Sequence, residues 1–190
     1  MPAELRRVRT NGIETTVAMA GAVPAVLLLH GFQHTWQVWR EIIGVLATRY
    51  RVLAPDMRWT GSDAEVGYDA ATLAEDALGI LGACGERCAT VAVREAFVRA
   101  CTGPAAPRRA FSYYRALPES ARQLEAATRV HRLTVPTLAV GAHPVGDALA
   151  RQLSPFTDEL TSYVIEDCGH IIPLDRPEAL LSVLEPFLAR

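Results

Sequence analysis

The run Ala25-Val26-Leu27-Leu28-Leu29 is apolar at every position and ends in His30-Gly31. A strand with one wet face alternates apolar and polar residues. A strand without alternation has to be covered on both faces, which requires a parallel sheet flanked by helices. The rest of the chain supplies the parts. Residues 5–10 and 14–19 alternate around Asn11-Gly12, the signature of an antiparallel hairpin. Residues 36–48 place Trp36, Trp39, Ile43 and Leu46 at helical spacing, and Arg51-Val52-Leu53-Ala54 is a short strand ended by Pro55-Asp56. A Gly- and Asp-rich loop follows (56–68), then a helix with Leu73, Ala77, Leu78 and Leu81 on one stripe.

Residues 88–93 form the next expected strand. The stretch 95–127 reads as several short helices broken at Gly103-Pro104, Pro107 and Pro118. Strands at 136–140 and 160–165, a helix near 147–153 and a last helix at about 177–189, with Leu180, Leu184, Phe187 and Leu188 inward, complete the pattern. The expected fold class is α/β: a mostly parallel sheet with an N-terminal antiparallel hairpin and helices on both faces. At 190 residues, one domain with a real core is expected.

Charge and composition narrow the function. A net charge of −2, with scattered arginines as the only basic residues besides histidine, gives no footprint for nucleic acid. No apolar run approaches the roughly 18 residues of a membrane span, and MPAELRRVRT lacks the apolar core of a signal peptide. Cys84, Cys88, Cys101 and Cys168 fit neither a metal pattern nor a disulfide framework, so reduced thiols in the cytoplasm are expected. No metal, nucleotide or organic cofactor is implied.

Functional groups collect at the carboxyl ends of the strands in such a sheet. His30-Gly31 permits a tight turn whose amides can face developing negative charge. Asp167-Cys168-Gly169-His170 places an imidazole on the loop after the last strand, either as a general base or as an ordinary exposed or packed histidine. Three pieces, VLLLHGF, VLAPDMRWTGSD and CGHIIPLDRPEALLSVLEPFL, together resemble the α/β-hydrolase family in its own order. HGFQHTWQVWR and FVRACTGPAAPRRAFSYYRALPE resemble its epoxide hydrolase and dehalogenase branch, the latter stretch matching the end of the helical cap. In the middle piece Trp59 stands where the family's D-x-R-G-x-G-x-S loop has its first glycine.

The resemblance implies a chemistry. A carboxylate on a strand-to-helix turn attacks an electrophilic carbon and forms an ester, and a histidine-activated water hydrolyses that ester. Carried over by position, His170 is the base, the backbone amide of Phe32 contributes to the oxyanion site, and Tyr114 is a cap tyrosine that polarises an epoxide oxygen. Tyr113-Tyr114 also fits simple helix packing. A small hydrophobic molecule is the implied ligand.

The nucleophile is missing. The family turn is Gly-x-nucleophile-x-Gly, and no Gly-x-Ser-x-Gly, Gly-x-Asp-x-Gly or Gly-x-Cys-x-Gly occurs in the chain. In ERCATVAVREAFVRACTG, Glu95 falls at the nucleophile position, with Val93 and Phe97 where glycines belong. The stretch reads as a join between the family's first half and the end of its cap. It gives a truncated layout of 1–93 core, 94–130 cap remnant and 131–190 core, without one strand and most of the cap. Glu95, or Cys168 two residues before His170, is the alternative nucleophile. Asp147 is the only carboxylate on the loop where an acid would sit, and it suits a helix N-terminus better. Loss of a strand leaves the sheet to close up, which is the expectation, or to recruit a strand from a partner or a second copy.

Overall fold

The computed structural model describes residues 3–31, 34–61, 67–94 and 106–190. The chain divides into two compact units, Met1–Gln123 and Leu124–Arg190.

The first unit opens with the expected hairpin, β1 (Glu4–Thr10) and β2 (Ile13–Ala20), paired from Glu4↔Met19 to Thr10↔Ile13. Asn11 and Gly12 both have positive φ (43° and 74°), as a two-residue turn of this hand requires. β3 (Ala25–His30) is buried along its whole length. A 3-10 turn (Trp36–Trp39) leads into α1 (Arg40–Leu46), which buries Ile42, Ile43 and Leu46. Then come β4 (Arg51–Pro55), the short α2 (Arg58–Gly61), α3 (Ala70–Ala83) and β5 (Thr90–Arg94). Five strands form one sheet in the order β1-β2-β4-β3-β5, antiparallel through the first two pairings and parallel through the last two.

Both faces of β3 and β4 are covered. Leu27, Leu29 and Leu53 pack with Met57, Trp59, Ile80, Leu81 and Cys84 in one cluster, with Tyr113 and Ala116 against it. The alternate residues Val26, Leu28 and Val52 point the other way and are at most 1% exposed. The unbroken apolar run is thereby explained.

The helix α4 (Ala106–Val130) begins in the first unit and ends in the second. It corrects the expectation of several short helices. Pro107 is its second residue, where the backbone N–H has no intrahelical partner to lose. Pro118 removes only the hydrogen bond to the Tyr114 carbonyl, and Tyr114 is exposed, so water can serve that group. Gly103-Pro104 lies outside the described residues. A second correction concerns α3: its buried residues are Asp76, Ile80 and Leu81, whereas Leu78 is exposed.

The second unit holds β6 (Thr137–Gly141), α5 (Ala148–Leu153), β7 (Leu160–Val164), α6 (Ile172–Asp175) and α7 (Pro177–Leu188). β6 and β7 pair in parallel, Ala139 opposite Ser162, as a separate two-stranded sheet. Within its own unit, β5 is the last strand of the five-stranded sheet.

Candidate functional site

At the carboxyl ends of β3 and β4 the loops are tied by buried polar groups. His30 is 1% exposed. Its Nε2 accepts from the Met57 N–H at 2.9 Å, so Nδ1 carries the proton and donates to the Gly31 carbonyl at 2.8 Å. Burial pushes the imidazole down to about 4, against a smaller opposing effect of the Gly31 hydrogen bond. His30 is thus neutral with both nitrogens used, a staple between two strand ends and no proton acceptor. Asp56 ties a third segment: its Oδ1 accepts from the Trp36 N–H at 2.8 Å, and its own N–H donates to the Thr16 carbonyl. Burial raises the Asp56 carboxyl, and the Trp36 hydrogen bond opposes the rise.

Two residues on, Arg58 and Asp76 form a bidentate ion pair, Nε to Oδ2 at 2.6 Å and Nη2 to Oδ1 at 2.7 Å. Their side chains are 6% and 1% exposed. Asn11 donates to Asp76 Oδ1 at 2.8 Å, so the hairpin turn, the loop after β4 and α3 meet at one carboxylate. These hydrogen bonds to Asp76 raise the Arg58 guanidinium above its ordinary value.

Trp59, where the resemblance calls for a glycine, is buried. Its indole lies edge-on to His30 at 5.8 Å and to Tyr113 at 5.7 Å. Tyr113 is therefore a packing residue. Its neighbour Tyr114 is in edge contact with it at 5.8 Å and is 46% exposed. The same helix caps α3. Asp69 Oδ1 accepts from the Thr72 N–H, Ser120 Oγ from the Ala70 N–H at 3.1 Å, and Gln123 Oε1 from the Ala71 N–H at 3.0 Å. Three of the four N–H groups that a helix start leaves unpaired are satisfied, two of them by α4. Trp59 and these caps fix where Tyr114 sits within the first unit.

His170 lies in the second unit, exposed, on the loop after β7. That loop turns at Asp167 (φ 48°). Cys168 is buried and its thiol donates to the Gly169 carbonyl at 3.3 Å. On the loop after β6, a side chain at Gly141 would overlap the Gly146 carbonyl oxygen, so this loop folds tightly back on the strand end. Asp147 stands just before α5 and pairs with Arg151, one turn on, as expected of a helix N-terminal acid. No hydrogen bond or ion pair links it to His170 among the described residues. Phe32 and Glu95 lie outside the described residues. Tyr114 and His170 belong to different units.

Sequence reasoning missed the Arg58–Asp76–Asn11 network and the locking role of His30. The one available signal was Asp56-x-Arg58 itself, because an arginine just after a buried strand needs a carboxylate partner.

No protein-family model matches the chain. Epoxide hydrolase 1 of Siraitia grosvenorii is 41% identical over 83 residues, which is 41% of this chain and 26% of that protein. The match thus spans about a quarter of that relative's length. Among solved structures, Cfl2 from Burkholderia cenocepacia has a TM-score of 0.88 at 19% identity, covering 98% of this chain and 96% of that one. The epoxide hydrolase CorEH has a TM-score of 0.83 at 19% identity, covering 98% and 99%. The protein has the α/β-hydrolase fold, and its sequence is similar to that of epoxide hydrolases. No helix among the described residues is long and apolar enough to cross a membrane.

Proposed function

We propose that this protein is an epoxide-hydrolase-like pseudoenzyme: a truncated α/β-hydrolase domain that does not carry out hydrolysis through an ester intermediate. One observation carries the reading. None of the 13 glycines has another four residues further on, so no Gly-x-nucleophile-x-Gly turn exists at any position. The glycines of that turn are a steric requirement. The nucleophile sits in a strained conformation, and side chains beside it would collide. The strand that should present it, β5, runs into Arg94, Glu95, Ala96 and Phe97.

Without an attacking carboxylate no ester forms, and His170 has nothing to hydrolyse. What remains is a scaffold for binding a small hydrophobic molecule, working in the cytoplasm, where the free thiols of Cys84 and Cys88 are stable. Purified protein is expected to leave an aryl epoxide and a simple aryl ester unhydrolysed, as are the His170→Ala and Glu95→Ala variants. Turnover that disappears in either variant would overturn the reading.

A second reading is favoured by the sheet. β5 has β3 as its one partner strand and β6 has β7, among the described residues. An unpaired strand edge offers its ladder N–H and C=O groups for pairing, so a strand from a partner chain or a second copy would add at either edge. Under this reading the protein is insoluble alone, and it becomes soluble and active when co-expressed with the chain that supplies the missing turn.

A further inference from the structure

Asn11 is the only asparagine of the chain, and it stands before Gly12 at the tip of the β1–β2 hairpin. Both residues are exposed. The ladder closes on the Thr10–Ile13 pair, which leaves the Gly12 N–H outside it, and a Cβ at Gly12 would meet nothing within 4 Å. The Asn11 side chain, by contrast, is engaged. Its Nδ2 donates to Asp76 Oδ1 at 2.8 Å, while its backbone carbonyl accepts from Arg58 Nη2 at 3.4 Å. Beside it Thr10 sits directly on α3, where a Cβ at Gly79 would overlap the Thr10 Oγ1. The carboxamide thus latches the hairpin turn to α3 at the Arg58–Asp76 pair.

We propose that Asn11 is a deamidation site, and that its conversion unlatches the hairpin turn from α3. The Gly12 nitrogen attacks the Asn11 Cγ. The new C–N bond replaces the bond to Nδ2, which leaves as ammonia with the Gly12 proton. Water, the only co-reactant, opens the five-membered imide at either carbonyl, to aspartate or to isoaspartate. Glycine favours the closure because it has no side chain to hinder it. Either product removes the donor from Asp76 Oδ1 and sets a second carboxylate against it, with the one Arg58 guanidinium to serve both. Isoaspartate also adds a carbon to the main chain of a turn whose length fixes the hairpin register. In the fold, closure must first break the bond to Asp76, so conversion is slower than in the free segment.

The test ages the full-length protein in warm, mildly alkaline buffer beside a peptide of residues 7–16, following both by mass spectrometry and fragment mapping. The folded protein is expected to convert at Asn11 about tenfold more slowly than the peptide, as for breaking one hydrogen bond to a charged group. Its urea midpoint should fall as conversion proceeds. Asn11→Gly suits the turn, cannot deamidate and adds no charge, so its midpoint should survive the same ageing. Asn11→Asp, which mimics one product, should have an unfolded fraction about fivefold that of Asn11→Gly. An unmodified Asn11 in the folded protein after many tens of peptide half-lives would overturn the proposal. So would an Asn11→Asp protein as stable as Asn11→Gly, or a midpoint that falls equally in aged Asn11→Gly.

Discussion

Replacing Asp76 with alanine is expected to cost about 3–5 kcal/mol of folding stability, the largest single-residue effect in the first unit. The carboxylate receives two hydrogen bonds from Arg58 and one from Asn11, in a site where both charged side chains are nearly fully buried. Alanine would leave the Arg58 guanidinium desolvated without its counter-charge. A domain of this size has about 5–15 kcal/mol in total, so the variant should be marginally folded. The double variant Arg58→Met, Asp76→Leu separates the cost of an orphaned charge from the worth of the pair. It replaces the ion pair with apolar groups of comparable volume and should recover most of the loss. Urea denaturation of the wild type, Asp76→Ala and the double variant makes the comparison. A loss below about 1 kcal/mol in Asp76→Ala would show that the pair does not bear on stability.

Acidification is expected to destabilise the protein through His30. In the unfolded chain a histidine titrates near 6.5, whereas in the fold burial holds His30 down to about 4. Between these values the unfolded state binds a proton that the folded state refuses, so stability falls as pH drops from about 6.5 to about 4. It is fully present above 6.5, and no further loss comes from this group below 4. The shift corresponds to roughly 3 kcal/mol. Asp56 works the other way, because its raised carboxyl lets the folded state hold a proton the unfolded state has released, and so offsets part of the effect near the acid end. His30→Gln is neutral at every pH. It should be less stable at pH 7, through loss of the staple to Met57, and should show a flatter pH dependence. Parallel curves for the two proteins from pH 7 to pH 4 would contradict the assignment.

Local patterns carried most of the fold. The Asn11-Gly12 turn, the alternation around it and the unbroken run ending at His30 are each decided by a few neighbouring residues, and each appears where expected. Readings failed where a distant contact decides. Leu78 fits the stripe of α3 by spacing, yet the position that faces inward is Asp76, because Arg58 and Asn11 wait there. The prolines of α4 break a helix only where their missing N–H or their ring matters. Pro107 lies in the first turn and Pro118 on an exposed stretch, so neither does. Among the site residues, the loop of His170 was legible from Gly169-His170 alone. The engagement of both His30 nitrogens was not, since it depends on the Met57 amide, which lies 27 residues away in sequence.

Under the proposed function, no carboxylate of this protein is alkylated by a substrate of the epoxide hydrolase type. In that chemistry the carboxylate opens the epoxide and takes the whole substrate as an ester, and without the base the ester persists. The direct measurement is the intact mass of the His170→Ala protein after incubation with an excess of aryl epoxide. The unmodified mass is expected. A stable increase equal to one epoxide, lost again in Glu95→Ala, would contradict it and make Glu95 the nucleophile.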